Sequence, residues 1–329
     1  TMTTFTTPTR RTDRTTGLHY AETPVRQRTV LTCGSWRRVT RRIVCGLTCA
    51  LTVSSLLMPS ISFAAERVEV DGNTYNAGTA AGDGSTWAWD GADDMTLNGY
   101  NGGGIAAYGK LNVSYEGNNT VANDEGDGIS VVDGANEGAE LNISGTGTLT
   151  ATAEGNALYS EGDMTISGTG TVTAKGAGAE GILADGDITI TGGGTVDARS
   201  EQDCGIVAEE TLTVSNSTLT AQGFGSGIYA FDGLTIDAAT VRAYAYPARE
   251  DSPTAIYTDE GDITIKNGSL VHAYAEGENA AGISSYKFYP GGSGGRICIS
   301  DSTVEAIAHY INRDNGNQPL PPICYSDFV

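Results

Sequence analysis

An apolar-x-apolar triplet returns along this chain at near-constant spacing, and few folds can accept that. It occurs at Leu111-Asn-Val, Leu141-Asn-Ile, Met164-Thr-Ile, Ile188-Thr-Ile, Leu212-Thr-Val, Leu234-Thr-Ile, Ile263-Thr-Ile and Ile297-Cys-Ile. Met95-Thr-Leu reads as an earlier copy. From Leu141 the spacings are 23, 24, 24, 22, 29 and 34, four near-constant steps followed by two that carry insertions. Two companions travel with it. An apolar-x-Ala segment follows at Leu149, Val172, Val196, Leu219, Val241, Val271 and Val304. A third segment, usually behind Gly or Ala, begins at Leu158, Ile182, Ile206, Ile228, Ile256 and Ile283.

Each segment alternates with period two, so its first and third residues face one way and its middle residue the other. A three-residue strand buries almost nothing alone. Stacked coils about 4.8 Å apart, however, place each Ile on the Ile below and extend one core. Ala151, Ala174, Ala198, Ala221 and Ala243 keep the cross-section narrow, and Gly supplies the positive φ of tight corners. The repeat therefore predicts an all-β parallel β-helix, three short strands per coil and about 22–24 residues per coil, over residues 111–308. A propeller needs about four strands per ~40-residue blade. The Ca²⁺-binding nonapeptide repeat is missing from the sequence, and no helical period appears beyond residue 64.

The flanks read differently. Residues 1–35 form an N-terminal extension with no assigned fold. Residues 36–64 read as a signal peptide: Arg37, Arg38, Arg41 and Arg42 precede the apolar run Ile43 to Met58, and Ser62-Phe63-Ala64 offers a small-x-small cut. The export it implies places the mature chain outside the cell, secreted or wall-associated. Residues 65–110 read as an N-terminal cap with irregular first coils, where Trp87 and Trp89 could cover the core. Residues 309–329 read as a tail or cap. Of the cysteines after residue 64, Cys298 and Cys324 could staple that tail, and Cys204 is left over.

Charge narrows the partners. Of 40 acids and 19 Lys+Arg, nine arginines and two acids precede residue 65, leaving 38 acids against ten bases beyond it. Such a field repels nucleic acid and anionic membranes and attracts divalent cations or basic partners.

The pattern Gly-Ile-x-Ala-x-Gly-Asp-Ile-Thr-Ile-x-Gly-Gly, from Gly181 to Gly193, resembles the right-handed β-helix domains of bacterial surface proteins grouped as carbohydrate-binding. Those domains are similar in turn to pectate-lyase-type polysaccharide lyases. The resemblance covers roughly residues 111–308. It implies a right-handed solenoid, a polysaccharide or cell-wall glycan as partner, and binding of acidic polysaccharide with Ca²⁺ or a role as an adhesin-like stalk.

Four sets of residues are candidates for chemistry. Acids recur just before the triplet, with Asp163, Asp187, Glu209, Glu210 and Asp262 as the expected Ca²⁺ ligands if stacking gathers them. Asp-Gly is also ordinary turn chemistry. Tyr159, Tyr229 and Tyr257 occupy the middle position of the third segment, and Tyr244 and Tyr274 the next outward position of the apolar-x-Ala segment. Flat rings on a rigid sheet suit stacking on sugar C–H faces, or simply stabilise a β surface; the Tyr244 and Tyr274 pair is the better candidate. Arg242 and His272 lie beside that pair at equivalent positions, where a lyase base would have to be sought. The threonine ladder Thr165, Thr189, Thr213, Thr235 and Thr264 reads as β-propensity. Together these features predict a non-catalytic, Ca²⁺-assisted carbohydrate-binding β-helix. A structural stalk without sugar binding is the alternative, and a lyase of uronate polymers the second alternative.

Overall fold

The computed structural model describes residues 64–135, 138–247, 252–285 and 295–309. The expectations for residues 1–63, for the tail beyond residue 309 and for a Cys298 to Cys324 bond lie outside them.

The chain winds through three sheets in turn. In one coil it passes along Ile182–Ala184 in the first sheet, Ile188–Ile190 in the second and Thr195–Ser200 in the third, then enters the next coil at Ile206–Ala208. The sheets hold ten, eleven and nine strands, and from Ile105 onward the coil-to-coil pairings are parallel. This is a parallel β-helix.

Register confirms the stacking. Leu141 lies opposite Met164, then Ile188, Leu212, Leu234, Ile263 and Ile297. Leu158, Ile182, Ile206, Ile228, Ile256 and Ile283 form a second column, and Leu149 through Val304 a third. Their inward side chains belong to one continuous cluster running from Ala65 to Ala275. A fully buried Ile contributes roughly 1.5–3 kcal/mol; in the last coil Ile283, Ile297, Ile299 and Val304 are only partly buried and pack against the end of the cluster.

Inward polar residues are satisfied locally. Ser160 Oγ donates to the Asp163 carbonyl at 3.0 Å, and Thr258 Oγ1 to the Gly261 carbonyl at 2.9 Å. Both are fully buried beneath the corner, so each replaces a core alanine without orphaning a hydroxyl.

The N-terminal region departs from the repeat. Arg67–Val70 pairs antiparallel with Asn73–Asn76, and Trp87–Trp89 antiparallel with Asp94–Asn98. Trp87 and Trp89 join the main core. The copy expected at Met95 is offset: Met95 lies opposite Val113 and Leu97 opposite Tyr115, one inward pair further along than Leu111. Leu97 therefore meets a bulky Tyr115, which is itself buried.

Candidate glycan-binding face

The outer face of the third sheet is a set of parallel rows, because residues two apart on a strand share a side and equivalent residues sit about 4.8 Å apart. One row reads Lys175, Arg199, Gln222, Tyr244, Tyr274, Ile307. The row before it reads Asp197, Thr220, Arg242, His272, Glu305. In the row beyond, Phe224 lies opposite Tyr246, with ring centroids 6.3 Å apart at 49°. Tyr244 and Tyr274 are thus direct cross-strand neighbours, as expected, and both are half-buried.

Two members of this face escape the sequence reading. Phe224 and Ile307, each 37% exposed, are the exposed large hydrophobics among the described residues, and both stand here. The signal was available: Phe224 precedes Tyr246 by 22 residues, one coil, and Ile307 follows Ala306 as Tyr274 follows Ala273. The apolar-x-Ala template stops short of them.

Most charges on the face are neutralised within it. Lys175 pairs with Glu201 at 2.6 Å, Arg199 with Asp197 at 2.6 Å, and His272 Nδ1 meets Glu305 at 2.8 Å. Arg242, beside Tyr244, makes no ion pair among the described residues. Burial, then the nearby Glu276 carboxylate, push the Tyr274 phenol up from its ordinary value, so at neutral pH it is a donor; it donates to Glu276 Oε2 at 3.4 Å. The surface is a flat apolar strip with hydroxyl and guanidinium donors at its margin, suited to a sugar's C–H face and hydroxyls.

Tyr159, Tyr229 and Tyr257 lie on the first sheet. They point away from the main core, as their period requires, but Tyr159 and Tyr229 are not solvent-facing. With 7% and 1% exposure they belong, with Leu183, Cys204, Val207 and Phe231, to a second apolar cluster outside the coil. Tyr257 packs against it; its ring lies 5.6 Å from that of Tyr229, and both hydroxyls donate to Asp259. Period two gives a side chain's direction and is silent on what covers it.

The acidic corner is a ladder of hydrogen bonds between coils. Asp163 Oδ1 accepts the Asp187 N–H at 2.9 Å. Asp187 Oδ1 in turn accepts the Thr211 N–H at 2.9 Å and its hydroxyl at 2.6 Å. Asp262 accepts the Arg296 N–H at 2.8 Å and holds its guanidinium at 2.8 Å. Glu209 and Glu210 stand one coil beyond Asp187. Each aspartate accepts the backbone amide one coil on. Ca²⁺ asks for six to eight converging oxygens, and among the described residues Asp163, Asp187, Glu209, Glu210 and Asp262 do not gather into one group of ligand atoms. Among the described residues, the carboxylates that do gather are Asp90, Asp93 and Asp94 in the N-terminal region, with ligand atoms within 4.8 Å of one another. There Asp90 Oδ1 already accepts the Ala92 and Asp94 N–H groups, and Asp94 Oδ1 the Asn112 amide.

Comparison with known proteins agrees with this geometry at the level of family. No curated protein and no solved structure matches the chain. A family model described as carbohydrate-binding domain-containing protein matches residues 131–306, more than half of the chain, a span that holds Phe224, Tyr244, Tyr246 and Tyr274 and stops just short of Ile307. The chain belongs to that carbohydrate-binding domain-containing family.

Proposed function

We propose that this protein binds glycan chains, without catalysis, on the outer face of its third sheet. Tyr244 and Tyr274 supply the central platform, Phe224, Tyr246 and Ile307 extend it, and Arg242 offers a cation at its edge. The observation that carries this reading is the coincidence of exposed apolar groups: Phe224 and Ile307 flank the cross-strand pair Tyr244 and Tyr274. A soluble solenoid has no folding reason to collect them there, since its core is complete without them. The family match supplies sugar as the ligand class, and the leader-like segment ahead of residue 65 suits a protein that meets its glycan outside the cell.

The test is a glycan panel followed by titration calorimetry. Tyr244→Ala combined with Tyr274→Ala should weaken binding at least about tenfold, about 1.4 kcal/mol, while the β-sheet circular dichroism stays unchanged. Affinity for the same glycan should survive a chelator, because no carboxylate of the platform is asked to hold a metal. Full affinity in the double variant would remove this face from consideration.

A further inference from the structure

The apolar platform of the third sheet is long in one direction only. Its members stand on four consecutive strands, Thr218–Phe224, Thr240–Tyr246, Leu270–Glu276 and Thr303–His309. Crossing those strands, a ligand meets Phe224, then Tyr246 and Tyr244, then Tyr274, then Ile307. That line is about 14 Å long at the usual strand spacing. Following any one strand, it meets two consecutive outward apolar residues at most, Tyr244 and Tyr246. Charge bounds the line along its sides. Arg242, His272 and Glu305 form the preceding row, and Glu276 and His309 stand beyond Tyr274 and Ile307.

The two ends of the line differ. One coil before Phe224 the surface is occupied by ion pairs: Arg199 Nε and Nη2 donate to Asp197 at 2.8 and 2.6 Å, and Lys175 meets Glu201 at 2.6 Å. A sugar's C–H face stacked there would strip water from charges and return little, so the apolar line stops. At the other end Thr303–His309 is the edge strand of its sheet among the described residues. Every described strand belongs to one of the three sheets, so none rises over the line as a wall. A pyranose ring is about as wide as one strand spacing, and each of the four coils therefore offers one stacking position.

We propose that the ligand is a linear glycan held by an internal stretch, lying across the strands and along the solenoid axis with one sugar ring to a coil. The proposal rests on the glycan-binding reading of this face. Phe224 and Ile307 are then its end subsites and set the length of chain that binds fully, while Tyr244 and Tyr274 hold the middle. An unwalled line of rings has nothing with which to recognise a chain terminus, so the terminal sugar contributes no specificity.

Series of gluco-, xylo- and galacturono-oligosaccharides of two to six units, titrated by calorimetry into the full chain, test this. In a series that binds, affinity should climb at least about tenfold from two to four units and level off beyond four. Reducing the terminal sugar of the six-unit chain should change its affinity by less than about twofold. Phe224→Thr and Ile307→Thr should each cost the four-unit chain at least about threefold and flatten the climb, with the β-sheet circular dichroism unchanged. A flat dependence on length, or no loss in either end variant, overturns the proposal; a loss in the Tyr244→Ala, Tyr274→Ala double variant would still keep the face. Binding of none of the three series overturns it as well, and the glycan panel then decides the face by itself.

Discussion

Ala238 occupies a conformation that L-residues other than Gly, Asn and Asp avoid. Its φ is +50° at the corner leading from the second sheet to the third, where Asn216 and Asn267 hold +48° and +58° in the coils on either side. Asparagine tolerates the left-handed region because its short amide can bond locally, whereas alanine carries the Cβ clash at roughly 1–2 kcal/mol. Its methyl is exposed and returns little by burial. Ala238→Gly should therefore stabilise the protein by about 0.5–1 kcal/mol, the relief being partly offset by glycine's freer unfolded chain. A higher thermal midpoint with an unchanged spectrum is the expected readout, and a lower one would mean that the backbone corner is not strained.

At the scale of the strand, what makes three strands close into a coil is a column of residues without room for side chains. Gly181, Gly205 and Gly227 each precede the Ile of the first sheet and back onto the third-sheet strand of the same coil. A Cβ on Gly205 would lie 2.6 Å from the Gln222 nitrogen and 2.7 Å from the Gly227 carbonyl. Backbone cannot yield there as a side-chain tip would, so Gly205→Ala should destabilise by about 1–3 kcal/mol, measurable by urea unfolding. This column, the isoleucine registers and the alanine column were all legible in the sequence, because a stacked coil repeats its constraints every two dozen residues. The N-terminal strands were not, since Trp87–Trp89 and its neighbours pair antiparallel and repeat nothing. Half of the candidate site was legible for the same reason: Tyr244 and Tyr274 recur in register. Phe224 and Ile307 sit beyond the repeating triplet, and Tyr159 and Tyr229 are covered by contacts that no periodicity encodes.

The whole molecule has to hold together against its own charge. Beyond residue 64 the acids outnumber the bases 38 to ten, and coil stacking sets carboxylates such as Asp163 and Asp187 over one another. The amide acceptance seen at Asp163 and Asp187 stabilises single carboxylates but leaves the summed field intact. At about 0.01 M salt the screening length is about 30 Å and an acid feels several coils on either side; at about 0.1 M it is about 10 Å and reaches only two. Sodium chloride over that range should accordingly raise the thermal midpoint by several degrees, the reverse of what an ion-pair-dominated surface would show. Calcium chloride at matched ionic strength then separates screening from site binding. If the carboxylates stay committed to backbone amides, the two salts give the same curve. A bound ion instead adds stability as RT ln(1 + [L]/Kd), and the calcium curve would climb away from the sodium one with concentration. Such a climb, abolished by Asp93→Asn but not by Asp187→Asn, would place the ion in the N-terminal cap; the opposite pattern would return it to the stacked corner and require the amide ladder there to open.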